Sequence, residues 1–249
     1  MFLTILCMSI SAFICLLVPA IIAIVMIIKR RGSLKAFALG IIVFSMAQLL
    51  IRIPVLNLFQ NTVWFNLFTA TSPMLYVILL ALSAGVFEEG GRLLGVKLFL
   101  NHDETTWDNA FVFGLGHGGV EAFSLVGIKY IGLIADTLSG KNVAAVSGAL
   151  AYTYLLGGFE RILAVILQIG LSMLVFYAIR KKKPLFLLYA LLAHTFIDSY
   201  SYILSLMGIK MGVWLTEGTL AVIAVLTIWL IVRIKSAFRD KISEAAGGL

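Results

Sequence analysis

Charge is what this sequence has least of. Of its 249 residues only 12% are Asp, Glu, Lys or Arg, where a soluble globular domain carries about 25%. That scarcity, with 61% hydrophobic residues and a mean hydropathy of +1.07, excludes an ordinary water-soluble fold. Cysteine is nearly absent too. Cys7 and Cys15 share the first apolar run, so they read as small packing residues rather than a disulfide framework or a metal site. There is no internal repeat, low-complexity linker or soluble domain. No basic residue precedes the first apolar run, and KRR follows it. A signal peptide has the opposite charge order and a shorter apolar stretch, so this run is expected to be a retained helix.

What is present is apolar length. Stretches of about 20 residues, enough to cross a hydrocarbon core roughly 30 Å thick, recur along the chain. The expected fold is therefore all-α: a polytopic helical bundle in the cell membrane, one domain over 1–249, with the bilayer as its surroundings. Seven spans are expected, at roughly 2–28, 36–58, 73–100, 110–134, 158–180, 184–207 and 212–233. The net charge of +7 does not point to nucleic acid, because most Lys and Arg fall in KRRGSLK (29–35), RKKK (180–183) and the tail from Arg233 to Lys241. Each cluster flanks an apolar run, as the positive-inside rule expects of cytoplasmic loops. An external N-terminus and a cytoplasmic C-terminus place all three inside, leaving Lys141 and Lys210 outside. A crossing by 143–157 (VAAVSGALAYTYLLG) would break that agreement, so it reads as a re-entrant or external segment, or as an extension of the fifth helix.

The few ionisable groups inside the spans then need a reason, since a charge at the bilayer centre costs about 2.5–3.5 kcal/mol on insertion scales. They are Glu88, Glu89 and Arg92 in span three, His117 and Glu121 in span four, Glu160 and Arg161 at the start of span five, and His194 and Asp198 in span six. Glu88 and Arg92, His117 and Glu121, and His194 and Asp198 are each four apart, about 40° of helical rotation, so each pair shares a face. Glu88 and Glu89 differ by about 100° and point apart. At 1.5 Å per residue, Glu88 lies roughly 18 Å and the two histidines roughly 10–15 Å above the cytoplasmic ends of their helices. Five acids face two arginines in this set. The excess of negative charge calls for protonated acids, charged histidines or a bound cation, and each of these is more often functional than accidental.

Three strings carry a resemblance: EEGGR (88–92), which reads E-x-x-x-R from Glu88, FGLGH (113–117) and HTFID (194–198). In this order, on successive spans, they resemble the CAAX-protease and bacteriocin-processing superfamily of intramembrane proteases. GHGGVEA with the later FERILA is most similar to its YhfC branch. The resemblance covers a motif-bearing core of about 75–200. It implies hydrolysis of a peptide bond in a peptide or membrane-protein substrate. In that reading Glu88 activates water, His117 holds the water or a metal, and His194 with Asp198 stabilises the oxyanion or completes a metal shell. Arg92 would anchor Glu89. Family members often have Asn where this chain has Asp198, which sets the metal role against the oxyanion role there.

The residues support this chemistry without the resemblance. Amide hydrolysis needs an activated water and positive charge where the oxyanion forms. Glu88, His117 and His194 offer a His₂Glu set, a known ligand set for catalytic zinc, with Asp198 and Glu121 as further candidates. Zinc or another divalent cation is therefore expected, or no cofactor at all; the HExxH helix of zinc proteases is not in the sequence. Plainer readings stand beside these. Glu89 with Arg92 is a structural ion pair. Glu160 and Arg161 are either interfacial or part of the site, and their depth sets them far from the other groups. Glu121 is either a ligand or the carboxylate orienting His117. His102 is a solvated loop residue, and Glu217 and Lys129 lie at helix boundaries. The glycines around His117 allow close helix packing. Two other functions fit the same residues: a proton- or cation-coupled transporter, and a catalytically silent immunity or assembly factor.

Overall fold

The computed structural model describes residues 1–141, 146, 150–209 and 213–238, and among these the chain is helical with no strands. Helix α1 is Phe2–Ile28, α2 Leu34–Gln60, α3 Val63–Thr71, α4 Pro73–Phe99, α5 Trp107–Leu138, α6 Ala151–Arg180, α7 Leu185–Leu206 and α8 Val213–Ala237. Local signals set the ends. Ser33 and Thr106 cap α2 and α5 by accepting hydrogen bonds from Ala36 N and Asn109 N, both at 3.1 Å. Pro73 opens α4, where its missing N–H leaves nothing unsatisfied.

Six of these helices are long and apolar enough to cross a membrane: α1, α2, α4, α5, α6 and α8. With α7, 22 residues made less apolar by His194, Asp198 and several hydroxyls, the bundle has the seven long helices expected. Helix α3 lies in a stretch that the hydropathy pattern assigns to no span. Helix α6 begins at Ala151, so 151–157 extends the fifth span; residues 143–145 and 147–149 of the 143–157 segment lie outside the described residues, as does Lys210.

The burial pattern is inverted relative to a soluble protein. Phe13, Ile21, Leu50, Leu94 and Val225 are exposed, while Glu88, Glu89, Arg92 and His117 are buried. Water could not favour that arrangement, whereas lipid does. Helix α6 is the axis, with 72% of its span buried against 17% for α8. Around it stand α1, α4, α5, α7 and α8, and α2 packs on the far side of α5.

Helix α5 is gripped by glycine. A Cβ on Gly116 would lie 2.2 Å from Phe37 O of α2, one on Gly114 2.5 Å from Ile169 Cα of α6, and one on Gly119 2.9 Å from Pro19 Cβ of α1. Helix α5 therefore lies against the backbones of α2 and α6 and the Pro19 ring of α1 around His117, as small residues permit between membrane helices.

The described residues of the three basic clusters gather at one end. The loop between α4 and α5 is the meeting point. Lys35 pairs with its Glu104 at 2.8 Å, and Arg180 donates to the carbonyl of Thr105 at 3.1 Å. Arg31 approaches Asp108 at 3.9 Å, and Lys235 stacks over the Trp107 ring at 4.4 Å. The start of α5 and the end of α6 thus lie together, so these two helices run antiparallel and the chain from Leu138 to Ala151 leaves from and returns to the opposite end.

Candidate active site

The first glutamate of EEGGR sits on the α4 face toward α2, α5 and α7, and its carboxylate is surrounded by donors. His117 Nε2 donates to Glu88 Oε2 at 3.0 Å, with Gln168 Nε2 at 3.5 Å and Arg92 at 3.6 Å on the same oxygen. Gln48 Nε2 donates to Oε1 at 2.5 Å, and His194 Nε2 stands 3.8 Å from that oxygen. A carboxylate accepts and cannot donate when ionised, and each of these neighbours is a group that can donate to it.

Glu89, turned away by the helical rotation, holds two groups at once. Its Oε1 accepts from the Arg92 guanidinium and from His194 Nδ1 at 2.7 Å. Both Glu89 and Arg92 are wholly buried. The pair does more than neutralise itself, because Glu89 fixes the ring of His194 and leaves its Nε2 facing Glu88 and Asp198, whose Oδ2 lies 3.5 Å away. His117 is held differently. Its ring packs edge-on against Phe44 at 5.2 Å and stacks on Phe113 at 6.3 Å. Its Nδ1 has no hydrogen-bond partner among the described residues. The lower-cost tautomer therefore carries its proton on Nε2, toward Glu88.

Glu88, His194 and Asp198 line a cavity of about 760 Å³ together with Glu121, Glu160 and Arg161. His117 stands behind its wall. The remaining lining residues show where the cavity leads. Ile53 on α2, Tyr76 on α4, Tyr202 on α7 and Thr216 on α8 all belong to the helix ends remote from the basic loops. The space thus extends from Glu88 toward that opposite end.

For two of the open alternatives the geometry favours one side. Arg161 does not stand apart at a boundary: it pairs with Glu160, reaches Glu121 Oε1 at 3.4 Å and lines the cavity. Helix α6 starts at Ala151, which puts Glu160 and Arg161 more than two turns inside the helix rather than at its boundary. Glu121 does not orient His117, since its partners are Arg161 and Gln168 Nε2 at 2.5 Å. Glu217, near the start of α8, also lines the cavity.

Three site residues escape a reading based on charge pairs: Gln48, Arg52 and Gln168. Gln168 accepts from Arg92 and donates to Glu121, tying EEGGR to α6. A glutamine in a run such as ILAVILQIGLSMLVF is itself a signal, because an amide in hydrocarbon needs partners for both of its ends.

The donor types at Glu88, His117 and His194, with Asp198 beside them, are those of a His₂–carboxylate zinc set. The contact from His194 Nδ1 to Glu89 is the outer hydrogen bond that commonly orients a metal-ligating histidine. The donors meet one another directly, however, and among the described residues no group of three or more His, Cys, Asp or Glu side chains stands at metal-shell spacing. The set fits a divalent cation in its chemistry.

No solved structure matches the chain. A relative from Bacillus subtilis (strain 168), named Uncharacterized membrane protein YhfC, is 34% identical over 257 residues, covering 93% of this chain and 96% of the relative. A family model described as YhfC intramembrane metalloprotease matches residues 14–220. Over most of its length, then, the chain belongs to the YhfC family.

Proposed function

We propose that this protein is an intramembrane endopeptidase in which Glu88 activates the attacking water. The observation that carries the reading is the Glu88 carboxylate, buried at the wall of the cavity and held between His117 Nε2 and His194 Nε2. The resemblance of EEGGR, FGLGH and HTFID to the CAAX-protease and bacteriocin-processing superfamily supports it, as does the family description.

The chemistry follows from what each group can hold. Glu88 accepts the proton as water adds to the scissile carbonyl, and returns it to the departing amine. His194, fixed by Glu89, donates from Nε2 as the imidazolium to the oxyanion that develops on the carbonyl oxygen. His117 keeps one carboxylate oxygen of Glu88 occupied and so aims the other. Arg92 and Glu89 neutralise each other behind the site, which leaves Glu88 as the carboxylate free to work. Glu88, His117 and His194, joined by Asp198, are the residues that would hold zinc or another divalent cation; when bound it supplies positive charge at the carbonyl and acidifies water. The substrate is a peptide or a membrane protein whose chain enters the cavity at Glu88.

Cleavage of a fluorogenic transmembrane peptide by the purified protein in lipid vesicles tests this. Wild type should cleave it, and Glu88→Gln, nearly isosteric and unable to act as a base at neutral pH, should lose at least about a hundredfold in rate. A Glu88→Gln variant that cleaves at the wild-type rate would overturn the proposal.

A further inference from the structure

We infer that Gln48 is a positioning residue for Glu88, and that Arg52 acts through it; this rests on the reading of Glu88 as the base. Both lie on α2, a helix that carries none of the three motifs. Their side chains nonetheless form an unbroken hydrogen-bonded line into the site: Arg52 Nη1 donates to Gln48 Oε1 at 3.0 Å, and Gln48 Nε2 donates to Glu88 Oε1 at 2.5 Å.

The line has a fixed direction. An amide can turn either its oxygen or its nitrogen toward a neighbour, and the two ends look alike in shape. Here one neighbour is a guanidinium, which only donates, and the other an ionised carboxylate, which only accepts. Gln48 can satisfy both in one orientation, and reversal would set oxygen against oxygen and nitrogen against nitrogen. Arg52 is itself immobilised, donating from Nε to Ser83 Oγ at 2.9 Å and from Nη2 to the carbonyl of Leu80 at 2.7 Å. Both acceptors belong to α4, the helix that carries Glu88. The line therefore closes a loop from α4 through α2 and back to α4.

The terminal torsion of a glutamate is broad, so its carboxylate plane is not set by its own rotamer. His117 grips Oε2 and Gln48 grips Oε1. With both oxygens held, the plane is fixed and Oε1 keeps its remaining lone pair toward His194, where the carbonyl must lie. Helix α2 is wound to make this reach. It is π-helical over Ser45–Arg52, the stretch that includes both residues, and Ser45 Oγ donates back to the Ile41 carbonyl at 2.8 Å. Such wide turns are uncommon and cluster at functional sites.

Gln48→Met keeps the volume and removes the amide, and Arg52→Met leaves Gln48 free to rotate. In the vesicle cleavage assay each should lower kcat about tenfold to a hundredfold, the scale for a misplaced catalytic group, with KM within twofold. Because the two act in series, the Gln48→Met/Arg52→Met double variant should fall no further than the worse single. Arg52→Lys, which restores one donor, should recover part of the rate. An independent readout needs no substrate: the infrared carboxylate band assigned to Glu88, by its loss in Glu88→Gln, should shift in Gln48→Met and in Arg52→Met. Additive losses, or a Glu88 band unmoved in both variants, would overturn the inference. If instead Glu88→Gln cleaves normally while the band shifts, the catalytic reading fails and the positioning stands.

Discussion

Asp198 is where two ways of meeting the developing negative charge diverge. Its Oδ2 lies 3.5 Å from His194 Nε2, and its side chain is 39% exposed into the cavity. To serve the oxyanion it must donate a hydrogen bond, which an ionised carboxylate cannot do and Asn can. To serve a cation it must keep its charge. The cavity wall carries Glu88, Glu121, Glu160, Asp198 and Glu217 against Arg52 and Arg161, and that excess of acid favours the cation. Asp198→Asn should therefore lower cleavage several-fold, and added zinc should restore part of it. Full activity of Asp198→Asn in the presence of a strong chelator would rule this out. The residues on which this rests were legible in the sequence because charge is rare in it: Glu88, His117, His194 and Asp198 stand out against hydrocarbon, and their spacing of four assigns them to faces. Gln48 and Gln168 break no charge rule and stand out only as amides that need partners in hydrocarbon, a weaker signal. Arg52 has no acid four residues away, and its partners are a glutamine, a hydroxyl and a carbonyl.

Helices place these side chains, and small residues set how closely the helices can approach. Glycine near His117 suggested close packing from sequence, but which helix each glycine meets is a property of the assembled bundle. Gly116 turns to α2 and Gly114 to α6, a division that single-chain periodicity does not encode. Gly116→Ala would push a methyl group to 2.2 Å from the Phe37 carbonyl oxygen, part of a backbone that cannot rotate away. We expect it to destabilise the protein by about 1–3 kcal/mol, the usual range for overpacking, and to separate Gln48 on α2 from the site. Gly90, in mid-α4 between Glu89 and Gly91, has nothing within 4 Å of its would-be Cβ. There Gly90→Ala should be neutral or stabilising by up to about 1 kcal/mol through helix propensity. Thermal unfolding of both variants in one detergent measures the contrast, and equal midpoints would show that the α2–α5 contact is not limiting. The helix ends were less legible than the helices. Extension of the fifth helix was one of the readings open for GALAYTYLLGG, whose weak hydropathy does not fix where α6 starts, and the depth of Arg161 depends on that start.

Across the whole molecule, the assembled bundle turns the scattered basic residues into one face. Lys35, Arg180 and Lys235 converge on the loop between α4 and α5, so that end carries all three clusters, while Lys141 follows the opposite end of α5. By the positive-inside rule we propose that the basic end is cytoplasmic and the N-terminus outside. At 1.5 Å per residue, Glu88 lies about 16 Å from the basic end of α4, near the middle of the bilayer. The cavity runs from it toward the end remote from the basic loops, past Tyr76, Tyr202 and Thr216, which is the external end in the proposed orientation. A substrate would thus reach the base from the external half, and its cut would fall near mid-membrane. Single cysteines test this orientation with a membrane-impermeant thiol reagent on sealed cells, since the native Cys7 and Cys15 are buried. Lys182→Cys, in the loop between α6 and α7, should react only after the membrane is opened. Lys141→Cys should react from outside without opening it. Tyr202→Cys, at a 66% exposed position on the cavity wall, should share the accessibility of Lys141→Cys when the reagent is small. Lys141→Cys and Lys182→Cys reacting from the same side would refute the seven-crossing arrangement; both reacting from sides opposite to these would invert it and give the cavity a cytoplasmic mouth.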